Sequence, residues 1–364
     1  MKIERINLDN FRNIKKCSLD VSGKQVILKG ENGQGKTNLL EAVYLLCYGS
    51  SFRTQNLKET IRYSAEYFYL KSEYSDNSGS LRTTEISYDG KEKRIKTDGN
   101  EIHDRKELIY SVPCISFSHE DMELVRGEPE YRRRFFDQTM TLYDSVFFDD
   151  LRRYKQVLRQ RNAALKQNAI SLLDVYDEKL AFLAVPLIRA REKVCTSFSA
   201  IFPDIYRAVS LEDRDIKIIY RPSWNTEMSE EDIIRKLREQ RDKDLRMLTT
   251  TGGPHRDRFI ISDENGNFVN GASTGQVRLV SLAMRSAQAA FFRQKTASDP
   301  LFLIDDVLLE LDYKKRSRYL DFLGAYSQAF FTFLPEEKYF GQQCYAEKDE
   351  TVIYFVRNGD FERQ

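Results

Sequence analysis

The sequence predicts an α/β protein. We expect a mixed β-sheet with a parallel core, an antiparallel β subdomain and an inserted helical lobe. Three observations predict this fold. The N-terminal residues read as strands and end in the apolar run Val26-Ile27-Leu28, just before Gly30. Short alternating runs with Asp-Gly turns follow, and the chain then reads as helical from about Phe135 to Phe202. Strands and helices alternate again in the C-terminal quarter, as a parallel sheet requires.

Composition limits the possible functions. The chain has 364 residues, which exceeds the usual size of one domain. Its 57 Lys and Arg residues are balanced by 56 Asp and Glu residues, so any nucleic-acid surface must be a local patch. The five cysteines show no C-x-x-C spacing, and no apolar run approaches the roughly 20 residues that span a bilayer. We therefore expect a cytoplasmic protein with reduced thiols and no membrane contact.

The N-terminal third predicts the first half of the sheet system. After Gly35 the apolar residues fall on one face of a helix, and Gly49 is a plausible stop. A β-rich stretch follows, in which Asp89-Gly90 and Asp98-Gly99 are typical hairpin turns. These segments predict strands, a helix and an antiparallel subdomain in that order.

The helical stretch predicts an antiparallel hairpin. Its leucines recur every seven residues, which indicates a coiled-coil-like seam; they are Leu151, Leu158, Leu165 and Leu172. The segment 166–168 is expected to separate the two helices, and Pro186 to kink or interrupt the second. The pattern leaves open whether the hairpin packs on the rest of the protein or projects as an arm.

The C-terminal part returns to strands and helices. Strands are predicted at 216–220 and 259–262, with a turn at Asn265-Gly266, and a helix over 275–294 precedes the strand 301–304. We therefore assign residues 1–118 and 250–364 to one domain, the head, and 119–249 to the inserted lobe.

The strongest motif fits G-x-x-x-x-G-K-[ST] and lies between the apolar strand and the helix. It comprises Gly30, Glu31, Asn32, Gly33, Gln34, Gly35, Lys36 and Thr37, with Asn38 next. Glycines let successive backbone N–H groups curl around phosphate oxygens, and the helix N-terminus adds partial positive charge. Lys36 is predicted to reach the β- and γ-phosphates of ATP and Thr37 to bind Mg²⁺.

A second motif is the apolar strand 301–304, which ends in Asp305-Asp306. A strand-end carboxylate lies at the carboxyl edge of a parallel sheet, beside such a loop. Asp305 is predicted to hold Mg²⁺. Asp306 is expected to point elsewhere and to orient or deprotonate the attacking water, while Lys36 completes the catalytic set.

The spacing between these motifs indicates the class of ATPase. Lys36 and Asp305 lie 269 positions apart, and Ser273-Thr274-Gly275-Gln276 precedes a helix about 30 residues before the acidic strand end. This order is typical of ABC ATPases, in which Ser273, Gly275 and Gln276 would bind the ATP of a partner subunit. On its own, the segment would be a plain helix N-cap.

Further segments resemble the RecF family of recombinational repair ATPases, which have an SMC-like head. They are Leu8-Asp9-Asn10-Phe11-Arg12-Asn13, Ser51-Phe52-Arg53-Thr54, Phe117-Ser118-His119-Glu120-Asp121, Gly127-Glu128-Pro129, Arg132-Arg133-Arg134-Phe135-Phe136-Asp137, Arg159-Gln160-Arg161-Asn162-Ala163, Leu173-Asp174-Val175-Tyr176-Asp177 and Gly253-Pro254-His255-Arg256-Asp257. The resemblance runs from end to end of the chain.

The chain also departs from that family's pattern. The D-loop reads Leu309-Glu310-Leu311-Asp312 and lacks the family's serine, and Thr332 stands near the place of a transporter-type switch histidine. Asp306 replaces the glutamate of many ABC proteins and is one methylene shorter, which predicts slow hydrolysis.

The resemblance implies an ATP-dependent homodimer that binds double-stranded or gapped DNA. It also implies RecR and RecO as partners in loading the recombinase RecA. Basic side chains on helices could each neutralise a phosphate; the candidates are Arg132, Arg133, Arg134, Arg152, Arg153, Lys155, Arg159 and Arg161. The sequence leaves the roles of His255 and Arg256 open. The alternatives are another SMC-like ATPase of DNA maintenance and a transporter nucleotide-binding subunit.

Overall fold

The computed structural model describes all residues except 77, 211, 213, 265, 309, 310, 312, 324 and 337–349. The strands are β1 (Lys2–Phe11), β2 (Ile14–Asp20), β3 (Gln25–Lys29), β4 (Phe68–Ser75), β5 (Leu81–Tyr88), β6 (Lys93–Thr97), β7 (Asn100–Glu101), β8 (Cys114–Phe117), β9 (Lys217–Arg221), β10 (Arg258–Asp263), β11 (Gly266–Asn267), β12 (Leu301–Ile304), β13 (Gln328–Phe333), β14 (Thr351–Arg357) and β15 (Asp360–Arg363). The helices are α1 (Lys36–Tyr48), α2 (Lys106–Ser111), α3 (Glu123–Arg126), α4 (Pro129–Thr141), α5 (Ser145–Lys166), α6 (Leu173–Ser210), α7 (Glu230–Glu239), α8 (Arg241–Met247), α9 (Thr274–Thr296) and α10 (Tyr313–Phe322).

The chain divides into two compact units. The first comprises Met1–His119 with Phe292–Gln364, and the second comprises Glu120–Phe291. The sequence analysis assigned residues from 250 onward to the head, whereas the first unit resumes at Phe292. The domain limits drawn from the sequence stay a prediction. In the part of the chain that the structure describes, no helix has both the length and the apolar character needed to cross a bilayer.

The first unit contains two six-stranded sheets. One is antiparallel, in the order β2-β1-β4-β5-β6-β7. The predicted hairpin at Asp98-Gly99 is confirmed: both residues have positive φ, 49° and 80°, and β6 pairs with β7 around them. The other sheet has the order β15-β14-β3-β13-β12-β8, and all its pairings except that of β15 with β14 are parallel.

The parallel core explains the apolar runs of the sequence. Every residue of β12 and β13 is buried, as expected for strands that are covered on both faces of a parallel sheet. Because β3 and β12 run in the same direction, Gly30 and Asp305, which follow them, emerge at the same edge of the sheet. The predicted α/β class, with its parallel core and antiparallel subdomain, is confirmed.

The second unit contains the helical lobe and the short sheet β11-β10-β9. Helix α5 ends at Lys166 and α6 begins at Leu173, so the predicted break at 166–168 is confirmed. Helix α6 is continuous through Pro186, so of the two predicted effects of the proline, a kink or an interruption, the interruption does not occur. The leucine seam stops at Leu165, because Leu172 lies in the turn between the helices and is 48% exposed. The predicted turn residue Asn265 lies outside the described residues.

Candidate nucleotide-binding site

The loop between β3 and α1 has the backbone of a phosphate-binding loop. Gly33 and Gly35 have positive φ angles of 77° and 119°, which favour glycine, and α1 begins at the next residue, Lys36. Gly30 is required for a different reason: a Cβ there would lie 2.4 Å from the Val356 carbonyl oxygen. The first turn of α1 therefore presents backbone N–H groups at the loop.

Lys36 lies within this loop and is almost fully buried. Its ammonium donates hydrogen bonds to the carbonyl oxygens of Gly30, at 2.6 Å, and Glu31, at 3.0 Å. These two acceptors belong to the loop itself. The ammonium group is therefore held at the loop, beside the position of a phosphate that the loop would bind.

Thr37 and Asp305 meet at the edge of the parallel sheet, although they are far apart in sequence. The Thr37 hydroxyl donates a hydrogen bond of 2.9 Å to Asp305 Oδ1. Burial, and then the charge of Asp306, raise the pKa of Asp305 to about 6. A threonine hydroxyl beside a buried carboxylate is an oxygen donor set that suits Mg²⁺, which takes few protein ligands and completes its shell with phosphates and water.

The sequence predicts that Asp306 points away from Asp305, and this prediction is wrong. Its φ of 52° turns the backbone back at the end of β12 and so breaks the strand's alternation. The Thr332 hydroxyl lies 2.8 Å from Asp306 Oδ1 and 3.1 Å from Asp305 Oδ1, and it also accepts the Asp306 N–H. Thr332, placed near the switch position by sequence, thus contacts both carboxylates.

The sequence analysis missed Glu41, a fully buried acid on α1. It accepts two hydrogen bonds from Arg12, at 2.7 and 2.9 Å, one from Ser51 and a weaker one from Arg53. Arg53 also donates to Asn38 at 2.9 Å. The available signal was that Arg12 and Arg53 lie in two separate motifs, so each required an acidic partner.

Ser273, Gly275 and Gln276 open α9 in the second unit. The Ser273 hydroxyl accepts the Gln276 N–H, and the Gln276 side chain accepts the Ser273 N–H, which is a reciprocal capping box. A Cβ at Gly275 would meet only the Ser273 hydroxyl, 4.0 Å away. The packing of the described chain therefore does not explain a glycine in the first turn of this helix, where glycine is unfavourable.

The predicted DNA-contacting residues separate into two groups. Five are exposed: Arg134, Arg152, Arg153, Lys155 and Arg159. Arg132 and Arg133 are half-buried and donate to backbone carbonyls, among them those of Phe259 and Asp257. For Arg161 the structure contradicts the prediction. Its side chain is fully buried and pairs with Asp177 and Asp244, each at 2.7 Å, so it does not reach the surface.

His255 and Asp257 have internal partners in the second unit. His255 lies 2.8 Å from the Tyr154 hydroxyl and 2.9 Å from the Thr250 carbonyl oxygen, and burial lowers its pKa to about 4. Asp257 pairs with the buried Arg191, which also binds Asp137. The histidine is thus a neutral packing residue, whereas Arg256 is exposed.

A loop of this kind at the edge of a parallel sheet, with a strand-end aspartate that accepts a hydrogen bond from its threonine, is typical of the nucleotide-binding head of a phosphate-loop ATPase. Solved SMC heads share the fold: one bound to the C-terminal winged-helix domain of ScpA aligns over the whole chain with a TM-score of 0.61 at 15% identity.

The comparisons then identify the family. A family model described as the RecF/RecN/SMC N-terminal domain matches residues 2–343. The chain is 37% identical to the DNA replication and repair protein RecF of Treponema pallidum (strain Nichols), over 96% of this chain and 98% of that protein. The RecF of Leptospira interrogans serovar Lai is 30% identical over 100% and 99% of the two chains. A structure of the recombination mediator protein RecF with ATP, in the RecFOR pathway, is 28% identical, with a TM-score of 0.90 over 100% of this chain and 97% of that chain. The chain belongs to the RecF family of DNA replication and repair ATPases.

Proposed function

We propose that this chain is a cytoplasmic, ATP-operated DNA clamp subunit. ATP with Mg²⁺ brings two copies together on double-stranded or gapped DNA, and with RecR and RecO the dimer promotes loading of the recombinase RecA. The observation that carries the proposal is the hydrogen bond between Thr37 and Asp305, at the mouth of the loop that holds Lys36. The names of the relatives and the ATP-bound RecF structure support the same assignment.

Each residue of the candidate nucleotide site would have a role in this reaction. The loop N–H groups and Lys36 bind the phosphates and offset their charge. Thr37 and Asp305 would hold Mg²⁺, and the ion would offset negative charge of the bound phosphates. Asp306, held by Thr332, accepts a proton from the attacking water or orients it. Because this carboxylate is shorter than glutamate and shares a hydroxyl with Asp305, we expect weak ATP turnover, stimulated by DNA.

The dimer is completed by the start of α9. Ser273, Gly275 and Gln276 would contact the γ-phosphate held by the other subunit, because a helix N-terminus attracts an anion and Gly275 leaves room for its approach. Ser273 caps its own helix in the single chain, so its hydroxyl would be shared between this cap and the phosphate.

The DNA surface would be formed by three exposed basic residues of α5 in the second unit. Arg152, Lys155 and Arg159 follow one face of α5 at intervals of three and four residues, so their side chains form a stripe. Each could displace counterions from one phosphate. Arg134 and Arg153 are exposed elsewhere on α4 and α5.

The dimer is tested with Ser273→Arg. The variant should bind ATP as the wild type does, because its own loop is unchanged, but it should not dimerise with ATP, because a bulky cation occupies the contact. Light scattering with ATP measures dimerisation, and calorimetry measures nucleotide affinity.

The matched control is Ser171→Arg, which places the same side chain at another exposed serine of the second unit. It should still dimerise. A Ser273→Arg protein that dimerises normally would overturn the ATP sandwich, and one that also loses ATP binding would assign the serine a role within its own subunit.

A further inference from the structure

The loop between β3 and α1 contacts two hairpin turns that the proposed reaction does not use. One turn joins β1 to β2 and contains Asn13. The other consists of Asn358 and Gly359 and joins β14 to β15. Both turns belong to the first unit, and both contact the same residue of the loop, Gln34. The loop is therefore held from outside by two segments that are distant from it in sequence.

The backbone carbonyl of Gln34 accepts a hydrogen bond from each turn. The Gly359 N–H donates at 2.8 Å, and the Asn13 side-chain amide donates at 3.0 Å. The Gln34 side chain is held as well, because its oxygen accepts the Asn358 N–H at 2.7 Å. Asn13 is itself held by Asn38, whose side-chain amide donates to Asn13 Oδ1 at 2.8 Å. Three donors from outside the loop thus fix one of its residues.

The direction of the Gln34 carbonyl determines the direction of the next N–H. The peptide between Gln34 and Gly35 is trans, so its C=O and its N–H point in opposite directions. Since the carbonyl points to the two turns, the Gly35 N–H points away from them. Gly35 is buried, and its N–H has no hydrogen-bond partner among the described residues. Buried N–H groups without a partner are rare in folded proteins, so this donor is suited to a ligand.

The turn at Asn358-Gly359 fits closely against the turn that carries Asn13. Its two residues have positive φ angles of 51° and 84°, as a type I′ turn requires. A Cβ on Gly359 would lie 2.6 Å from the backbone carbonyl oxygen of Asn13. The turn Asp98-Gly99 has nearly the same angles, 49° and 80°, but a Cβ on Gly99 would meet no described atom within 4 Å. The chain therefore contains one such turn against the loop and a matched one away from it.

We propose that Asn13 and the turn Asn358-Gly359 are positioning residues for the nucleotide. By holding the Gln34 carbonyl, they keep the Gly35 N–H directed at the phosphates that ATP and ADP share. Backbone N–H groups of such loops cradle the α- and β-phosphates, and donors that are already oriented need no rearrangement when the ligand binds. The inference rests on the proposed function in that the ligand is ATP, and it concerns binding within one subunit, without the dimer.

The first test compares Gly359→Ala with Gly99→Ala in the full-length protein. Both substitutions put a Cβ on a glycine with positive φ and so strain their own turns. Only Gly359→Ala also pushes its turn away from Asn13, and thereby from the loop. ADP affinity, measured by calorimetry, should fall about tenfold or more in this variant, which is the contribution of one hydrogen bond to a charged group. The Gly99→Ala protein should bind ADP as the wild type does.

The second test keeps the turn at Gly359 and removes the other donor. Asn13→Ala should lower ADP affinity about threefold or more, a smaller loss because one of the two donors to the Gln34 carbonyl remains. The matched control is Asn56→Ala, since the Asn56 side chain likewise donates one hydrogen bond and accepts another, but away from the loop. It should leave ADP affinity unchanged. Denaturant unfolding without nucleotide measures the stability of all four variants, and Asn13→Ala decides the question if Gly359→Ala does not fold.

ATP and ADP affinities should fall by equal factors, because the two nucleotides share the phosphates that the loop binds. A folded Gly359→Ala or Asn13→Ala protein with wild-type affinity for ADP would overturn the inference, whatever its stability, and leave the proposed function intact. A loss confined to ATP would also overturn it, because the effect would then lie at the γ-phosphate. A wild type that binds neither nucleotide would refute the proposed function itself.

Discussion

The two units use buried polar groups in opposite ways. In the loop of the first unit, the hydrogen bonds of the Lys36 ammonium to described residues go to carbonyls of its own loop, and a bound phosphate can replace them. In the second unit, Arg161 and Arg191 are each held by two buried carboxylates. A buried cation is therefore poised for a ligand in one unit and already neutralised in the other. The residue type does not distinguish the two cases; the partners do.

Removing Arg161 should give the largest effect on stability. Arg161→Ala leaves Asp177 and Asp244 buried without this cation, which should lower the free energy of unfolding by about 3–5 kcal/mol. Arg159→Ala, two residues earlier and exposed, should change it by less than about 0.5 kcal/mol. Denaturant unfolding of both variants measures the difference, and equal stabilities would contradict the structural role of Arg161.

In the first unit, Asp306→Asn should affect turnover and leave the fold intact. The amide keeps a contact with Thr332 but is a far weaker base, so steady-state ATP hydrolysis should fall about a hundredfold or more. ATP affinity should be retained, and an ATP-bound dimer should accumulate in light scattering. Hydrolysis at the wild-type rate would place the base elsewhere, for example at Glu310, which lies outside the described residues.

Lys36→Ala should weaken ligand binding without a matching loss of stability. ATP affinity should fall by at least about tenfold, or ~1.4 kcal/mol, because the loop loses its cation. The free energy of unfolding should change by less than about 1 kcal/mol, since no carboxylate among the described residues hydrogen-bonds the Lys36 ammonium. Calorimetry and denaturant unfolding of the same protein give both values. A large loss of stability would place Lys36 in the same category as Arg161.

The local geometry of the candidate nucleotide site could be predicted from the sequence because its signals are local. Glycines that require positive φ, a helix start and a strand-end acid are legible within a few residues, and the structure brings Thr37 and Asp305 together as expected. The prediction that Arg161 contacts DNA was wrong because the burial of this side chain depends on Asp177 and Asp244, which lie 16 and 83 residues further along the chain.

Two other features depended on tertiary context. The side chains of Asp305 and Asp306 were expected to point in opposite directions, as in a regular strand. The positive φ of Asp306, at the end of β12, instead turns its side chain back toward Thr332. Glu41 was overlooked because a single acid in an apolar helix has no motif of its own, and its three partners come from two distant loops.

The smallest expected effect concerns the salt dependence of DNA affinity. It distinguishes the basic stripe of α5 from the other exposed face of this helix. Replacing Arg152, Lys155 and Arg159 together with Ala removes the basic stripe and should flatten the dependence of log K for duplex DNA on log salt by about 0.9 per lost phosphate contact. Arg153→Ala, about 100° around the helix from Arg152, should leave that slope unchanged, although its charge and helix are the same. Affinities measured by fluorescence anisotropy at several salt concentrations give the slopes. Equal slopes for the triple variant and the wild type would place the DNA elsewhere on the protein. A flattened slope for Arg153→Ala would extend the DNA surface to a second face of α5, because counterion release reports contacts with phosphates.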